Sequence, residues 1–163
     1  MKSLTIDWLS KKSPEFGQLS ENEKIAIIDF SLLWNFFEAR CLDNNANIDR
    51  IRQYVHQLPE ELVDSPEIQK LADYFRERYI DGAGYSNRYP HLHLERSGNP
   101  SEVARMLRGQ SENRETLIGC LGIVFRYRNN LFHGKKWDYE LQEQQENFER
   151  STALLRWLIG TNT

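Results

Sequence analysis

The sequence predicts an all-α domain, a single up-and-down bundle of five or six helices, and three features carry it. Helix-start signals recur: Ser20 has Glu23 at capping-box spacing, Ser65 precedes Pro66, and Asn99 precedes Pro100 with Glu102 three residues on. Apolar residues repeat at helical spacing in long runs, while alternating apolar and polar stretches rich in β-branched residues are nearly absent. A chain of 163 residues with 39% hydrophobic content is the size of one domain and can bury one core.

Residues 1–19 read as an N-terminal extension that either docks through Trp8, Leu9 and Phe16 or stays mobile, and 20–163 as the helical domain. The first helix, 21–42, carries Ile25, Ala26, Ile28, Phe30, Leu32, Leu33, Trp34, Phe36, Phe37 and Ala39 around most of its circumference, the pattern of a largely buried helix. Lys24, Ser31, Asn35 and Glu38 fall in one polar stripe, either a solvated face or, for the last three, the wall of a polar cleft. Helices over 48–58, 66–80 and 100–108 follow from apolar periodicity between the caps. The segment from Asp81 to Gly98 is rich in turn formers and reads as a surface loop. Two further helices, 112–132 and 138–159, complete the order; Asp138, Glu140, Glu143, Glu146 and Glu149 read as the solvated face of the last.

Composition narrows the function classes. No run approaches the roughly 18 apolar residues of a membrane helix, and the N-terminus lacks the apolar core of a signal peptide, so the expectation is a cytoplasmic chain. A formal charge of −3 argues against non-specific coating of nucleic acid, though it averages over regions of opposite sign. Cys41 and Cys120 sit in apolar helical runs and read as small buried hydrophobes. Trp8, Trp34, Trp137 and Trp157 read as core or interface anchors.

Helix 112–132 changes character along its length. Leu117, Leu121, Val124 and Phe125 keep core spacing, and Gly119 and Gly122, each costing about 1 kcal/mol against Ala in a helix, predict close approach of another helix. Arg126, Arg128, Asn129, Asn130 and His133 then crowd its end, with Gly134 as a stop and Lys135 and Lys136 after it. From Leu117 to Trp137 there is no acidic residue. Cations near a helix C-terminus suit its dipole, which accounts for the lysines but not for two asparagines, poor helix formers, beside an arginine and a histidine. Asn129 and His133 share a face, and Arg128 lies about 140° away and must reach across. A guanidinium, an amide and an imidazole converging on one anion suit a phosphodiester: the fork binds non-bridging oxygens and the imidazole moves a proton at neutral pH.

Arg128, four intervening residues beginning with Asn129, then His133 and Gly134, after a long apolar helix, resemble the signature of the HEPN superfamily of nucleases and nucleotide-binding domains. The resemblance implies a helical bundle that dimerises with its motif helices facing each other, Arg128 and His133 as catalytic pair with Asn129 beside them, and metal-independent cleavage of RNA. It also implies a place in a toxin–antitoxin or antiviral-defence system, with an antitoxin or other inhibitory protein as partner. Some toxins of the superfamily carry a modified Tyr two residues after the His; here that position is Lys135.

The expected activity is endoribonuclease cleavage by 2′-hydroxyl attack in a composite site of a homodimer, since one chain offers a single motif histidine and the two-fold axis supplies the second. Glu38 and Asn130 are supporting candidates, and Arg126, Lys135, Lys136 and Arg88 candidate RNA contacts. No cofactor or metal is expected: His91 and His93 have no neighbouring Cys or further His to complete a ligand set. With Tyr85, Arg88, Tyr89 and Arg96 nearby, the 81–98 loop suits stacking and phosphate contact with single-stranded RNA, an ordinary exposed loop being the alternative. Gly82 and Gly84 lack the strand and helix that would make a phosphate loop. The competing function is a non-catalytic HEPN-like RNA-binding or dimerisation module acting as a scaffold or regulatory partner.

Overall fold

The computed structural model describes residues 3–96, 99–133 and 141–161. Ser20 opens the longest helix as its spacing predicts: its hydroxyl accepts from the Glu23 amide at 3.2 Å and the Glu23 carboxylate accepts from the Ser20 amide at 2.8 Å. That helix is α3 (Glu21–Cys41); it is preceded by α1 (Leu4–Lys12) and α2 (Pro14–Gly17) and followed by α4 (Ile48–Gln57), α5 (Glu60–Val63) and α6 (Pro66–Tyr79). A two-residue hairpin, β1 (Ile80–Asp81) with β2 (Gly84–Tyr85), and two 3₁₀ turns, Tyr89–Leu92 and Leu94–Arg96, lead to α7 (Pro100–Leu107), α8 (Asn113–Phe132) and α9 (Gln145–Thr161).

The chain is all-α, with nine α-helices among the described residues instead of five or six. The three unpredicted ones are the short α1, α2 and α5, which lie in segments with little or no apolar periodicity. Within 1–19, α2 docks by burying Phe16, whereas Trp8 stays exposed on α1. The last helix starts later than the expected 138: Leu141–Gln144 form a turn with Glu143 at φ 60°, and residues 138–140 lie outside the described residues. Glu143 therefore does not share a helical face with Glu146 and Glu149. The 81–98 stretch is more ordered than a plain loop, because Leu92 and Leu94 are buried and draw it onto the bundle.

α8 is the central element, packed against α4, α6 and α7, while α3 lies along α9. An aromatic chain joins these layers: Phe30 meets Phe148 at 5.0 Å between ring centres, Trp34 stacks on Phe125 at 5.8 Å, and Tyr127 meets Phe75 edge-on at 6.0 Å. The buried hydroxyls of Tyr79 and Tyr127 bond to each other, and burial holds both phenols above their usual pKa. α3 is less buried than its apolar circumference suggests, since Ile25, Leu32 and Phe36 are exposed. Its polar stripe divides: Lys24 is buried over Phe16, Ser31 bonds back to the Ile27 carbonyl, Asn35 faces solvent and Glu38 turns inward. Cys120 is fully buried and its thiol pushed up to about 12, and Cys41 is half-buried; both are free.

The close approach predicted at the α8 glycines occurs within the chain. A Cβ on Gly119 would lie 2.7 Å from Met106 Cβ and 3.2 Å from the Glu102 carbonyl, and one on Gly122 would lie 2.3 Å from Asn99 Nδ2. The glycine face is thus filled by α7 and its entrance and is not open to a second copy. Gly119→Ala is expected to destabilise the fold by about 1–3 kcal/mol, because overpacking against a Cβ and a backbone carbonyl outweighs the helix propensity gained. A fall in the urea midpoint at unchanged slope is the measurement. Asn99 begins α7 without a side-chain cap, and Glu102 leaves capping-box geometry to accept from Arg52 Nε at 3.0 Å, tying α7 to α4.

Candidate functional site

α8 ends where its last turns become polar, and His133 is its C-cap residue, its amide donating to the Asn129 carbonyl at 3.0 Å. With Asn129 and His133 four residues apart, both side chains face the same way. They line a cavity of about 270 Å³ together with Asn130, Arg126 and Arg96. His133 is exposed, so its imidazole is reachable from solvent.

The floor of the cavity is a buried polar network. Arg126 is 5% exposed; its Nε donates to the Leu92 carbonyl at 3.0 Å and its Nη2 to Asn130 Oδ1 at 3.1 Å. Asn130 Nδ2 in turn donates to the His91 carbonyl at 3.2 Å and sits 3.4 Å from that of Leu92. Arg126 and Asn130 therefore fasten the 89–92 turn to α8, a structural duty beside the RNA-contact and supporting roles expected of them. Among the described residues Arg126 has no carboxylate partner, and burial lowers the pKa of its guanidinium. Glu95 acts on it only through space, and Arg96 opposes that, so a desolvated cation with no carboxylate in contact among the described residues favours an anion in the adjoining cavity.

Arg128 does not line this cavity. Its Nη1 donates to Asn129 Oδ1 at 2.9 Å, its guanidinium lies 5.2 Å from the centre of the Phe132 ring, and its Nη2 stands 3.7 Å from Glu38 Oε2. Glu38, in turn, accepts from Trp34 Nε1 at 2.9 Å and from the Ala46 amide at 3.0 Å, so the end of α3 and the chain leaving it are locked beside α8. Glu38 thus stands beside Arg128 and does not line the cavity. Asn129 joins the two halves, its side-chain Oδ1 accepting from Arg128 and its side chain lining the cavity shared with His133.

Arg88 is exposed on the hairpin side of the loop and does not line the cavity, whereas Arg96, placed by sequence only in that loop, does. No local signal marks Arg96, since the register of the 3₁₀ turns brings it to a helix more than thirty residues away. His91 contributes its backbone to the network, and His93 sits 3.4 Å from Glu95. Among the described residues no group of three or more His, Cys, Asp or Glu forms a metal-ligand cluster. Gly134, Lys135, Lys136 and Trp137 lie outside the described residues. No helix among the described residues is long and apolar enough to cross a membrane. Searches for similarity returned no matching family model, no matching curated protein and no matching solved structure.

Proposed function

We propose that this chain is an endoribonuclease in which His133 moves the proton and Arg128, with Arg126, carries the phosphate charge. The observation that carries the reading is the convergence on one cavity of an exposed imidazole, an amide and a buried guanidinium that, among the described residues, has no carboxylate in contact, with a second guanidinium hydrogen-bonded to that amide. Such a set is nitrogen-rich; Glu38, the carboxylate beside Arg128, already serves Trp34, Ala46 and Arg128, and Glu95 is engaged with His93 and Arg96. The donor set therefore suits a phosphodiester handled by side chains and calls on no metal.

The chemistry needs two proton-transfer groups. A ribose 2′-hydroxyl attacks the adjacent phosphorus, its proton passing to a neutral imidazole; the 5′-oxygen departs with a proton from a second, protonated imidazole. The products are a 2′,3′-cyclic phosphate and a 5′-hydroxyl. His133 supplies one imidazole and His133 of a second copy the other, which makes a homodimer part of the proposal. Because α7 fills the glycine face, the contact runs instead through the end of α8, where Phe132 is 55% exposed next to His133. Phe132→Ser is expected to lower the mass seen by light scattering from dimer to monomer and to lower cleavage with it.

The alternative, an RNA-binding or dimerising scaffold, shares the cavity but not the proton transfer. Incubation of the purified chain with RNA in EDTA, followed by end-group analysis, separates them: cyclic-phosphate ends support the nuclease, and intact bound RNA supports the scaffold. A toxin or antiviral role, with an inhibitory partner protein, belongs to the same proposal and is tested by growth arrest on expression.

A further inference from the structure

Beside the cavity, the hairpin and 3₁₀ turns build a second feature. Tyr85 and Tyr89 stack with ring centres 3.8 Å apart and planes 8° from parallel, and the Arg108 guanidinium, brought by the end of α7, lies 5.4 Å from the centre of the Tyr85 ring. Tyr85 is 36% exposed, and Arg88 and Arg108 are exposed beside the pair. Tyr89 is half-buried against the core, whereas Tyr85 is held on the exposed hairpin with part of its ring in water, so the pair offers an aromatic edge at the surface.

The charge pattern sharpens this. Most arginines among the described residues are matched to carboxylates: Arg50 to Asp43, Arg52 to Glu102, Arg76 to Asp73, Arg105 to Glu115, Arg114 to Glu60 and Arg150 to Glu146. Arg88, Arg108 and Arg126 make no ion pair with any described residue; Arg40, Arg78 and Arg156 make none either, but Arg40 and Arg78 lie over the rings of Phe36 and Tyr79 and Arg156 stands on another face, whereas the first three belong to the platform or the cavity. Two carboxylates share the segment, Asp81 at the hairpin and Glu95 against His93 and Arg96, and neither pairs with Arg88 or Arg108. The platform also leads into the site. Tyr89 starts the turn whose His91 and Leu92 carbonyls accept from Asn130 on the cavity wall.

We infer that Tyr85, Tyr89 and Arg108 form a stacking subsite for an unpaired base of single-stranded RNA whose neighbouring phosphates run past Arg88 toward the His133 cavity. The inference rests on the RNA reading above and adds the substrate class: a strand with exposed bases, not a duplex, whose bases are paired and cannot reach a ring.

The test uses the intact chain and three fluorescein-labelled 12-mers read by anisotropy: 2′-O-methyl oligouridine, which lacks the attacking hydroxyl, a 2′-O-methyl duplex, and an abasic chain of equal charge. The parent is expected to prefer oligouridine over the abasic chain by about 5- to 150-fold, the range of one base stacked on an aromatic ring. Tyr85→Ala should remove that preference while leaving abasic affinity unchanged, Tyr85→Phe should keep it, and Arg108→Ala should weaken both single strands. Equal parental affinity for oligouridine and the abasic chain, tighter binding of the duplex, or a preference that survives Tyr85→Ala would each overturn the subsite. If the parent still cuts RNA in those cases, the nuclease reading stands alone; if it neither binds nor cuts any RNA, both readings fall.

Discussion

His133→Ala is expected to slow RNA cleavage by about 10²–10⁴-fold while RNA affinity stays near that of the parent, because the imidazole is assigned proton transfer and not phosphate binding. The variant should fold: His133 is an exposed C-cap residue whose helical bond is made by its backbone amide. Circular dichroism and an unchanged melting temperature establish that before rates are compared. In a composite site the effect has a further signature. Mixed dimers of parent and His133→Ala keep one imidazole, so the activity of a mixture should fall faster than in proportion to the parent fraction. Strict proportionality would argue for one self-sufficient histidine per chain, and an undiminished rate in the folded variant would remove His133 from the mechanism.

Arg128→Ala is expected to lower both affinity and turnover, the latter by about 10²–10³-fold, the usual consequence of losing one preorganised donor to a developing oxyanion. The structure defines how it would act. Arg128 rests between Asn129, Phe132 and Glu38, and the 3.7 Å to Glu38 is a loose ion pair that a phosphate can draw the guanidinium away from. Arg128→Lys keeps the charge but not the fork that bonds Asn129, so it should recover binding more than turnover. Glu38→Gln separates positioning from charge: its amide oxygen can still accept from Trp34 or Ala46, while Arg128 loses its carboxylate partner. If Arg128→Ala leaves the rate intact with the fold preserved, the phosphate role passes to Arg126 alone.

Local signals were sufficient for the helices that carry the core, though not for α1, α2 and α5. The Ser20 and Glu23 spacing, Ser65 before Pro66 and the apolar periodicity act within a few residues, and the helices they mark start and stop within a residue or two of expectation. Among the six expected helices the last is the exception, since the acidic run around Glu143 continues helical composition across a turn whose positive φ no local residue demanded. The polar end of α8 was also legible, because Arg126, Arg128, Asn129, Asn130 and His133 stand in one short stretch without acid.

What each of those residues does was decided only by tertiary packing. Helical geometry puts Asn129 and His133 on one face by itself, and the cavity they line follows that rule. The same geometry cannot show that the 89–92 turn packs over α8 and takes Asn130 and Arg126 as anchors, that Arg96 arrives from a distant turn, or that Glu38 stands beside Arg128. Nor can it show that α7 fills Gly119 and Gly122, where sequence alone leaves a partner chain equally suitable. A hydrogen bond or ion pair between residues thirty to ninety positions apart depends on how buried surfaces fit after collapse, and no spacing along the chain encodes that directly.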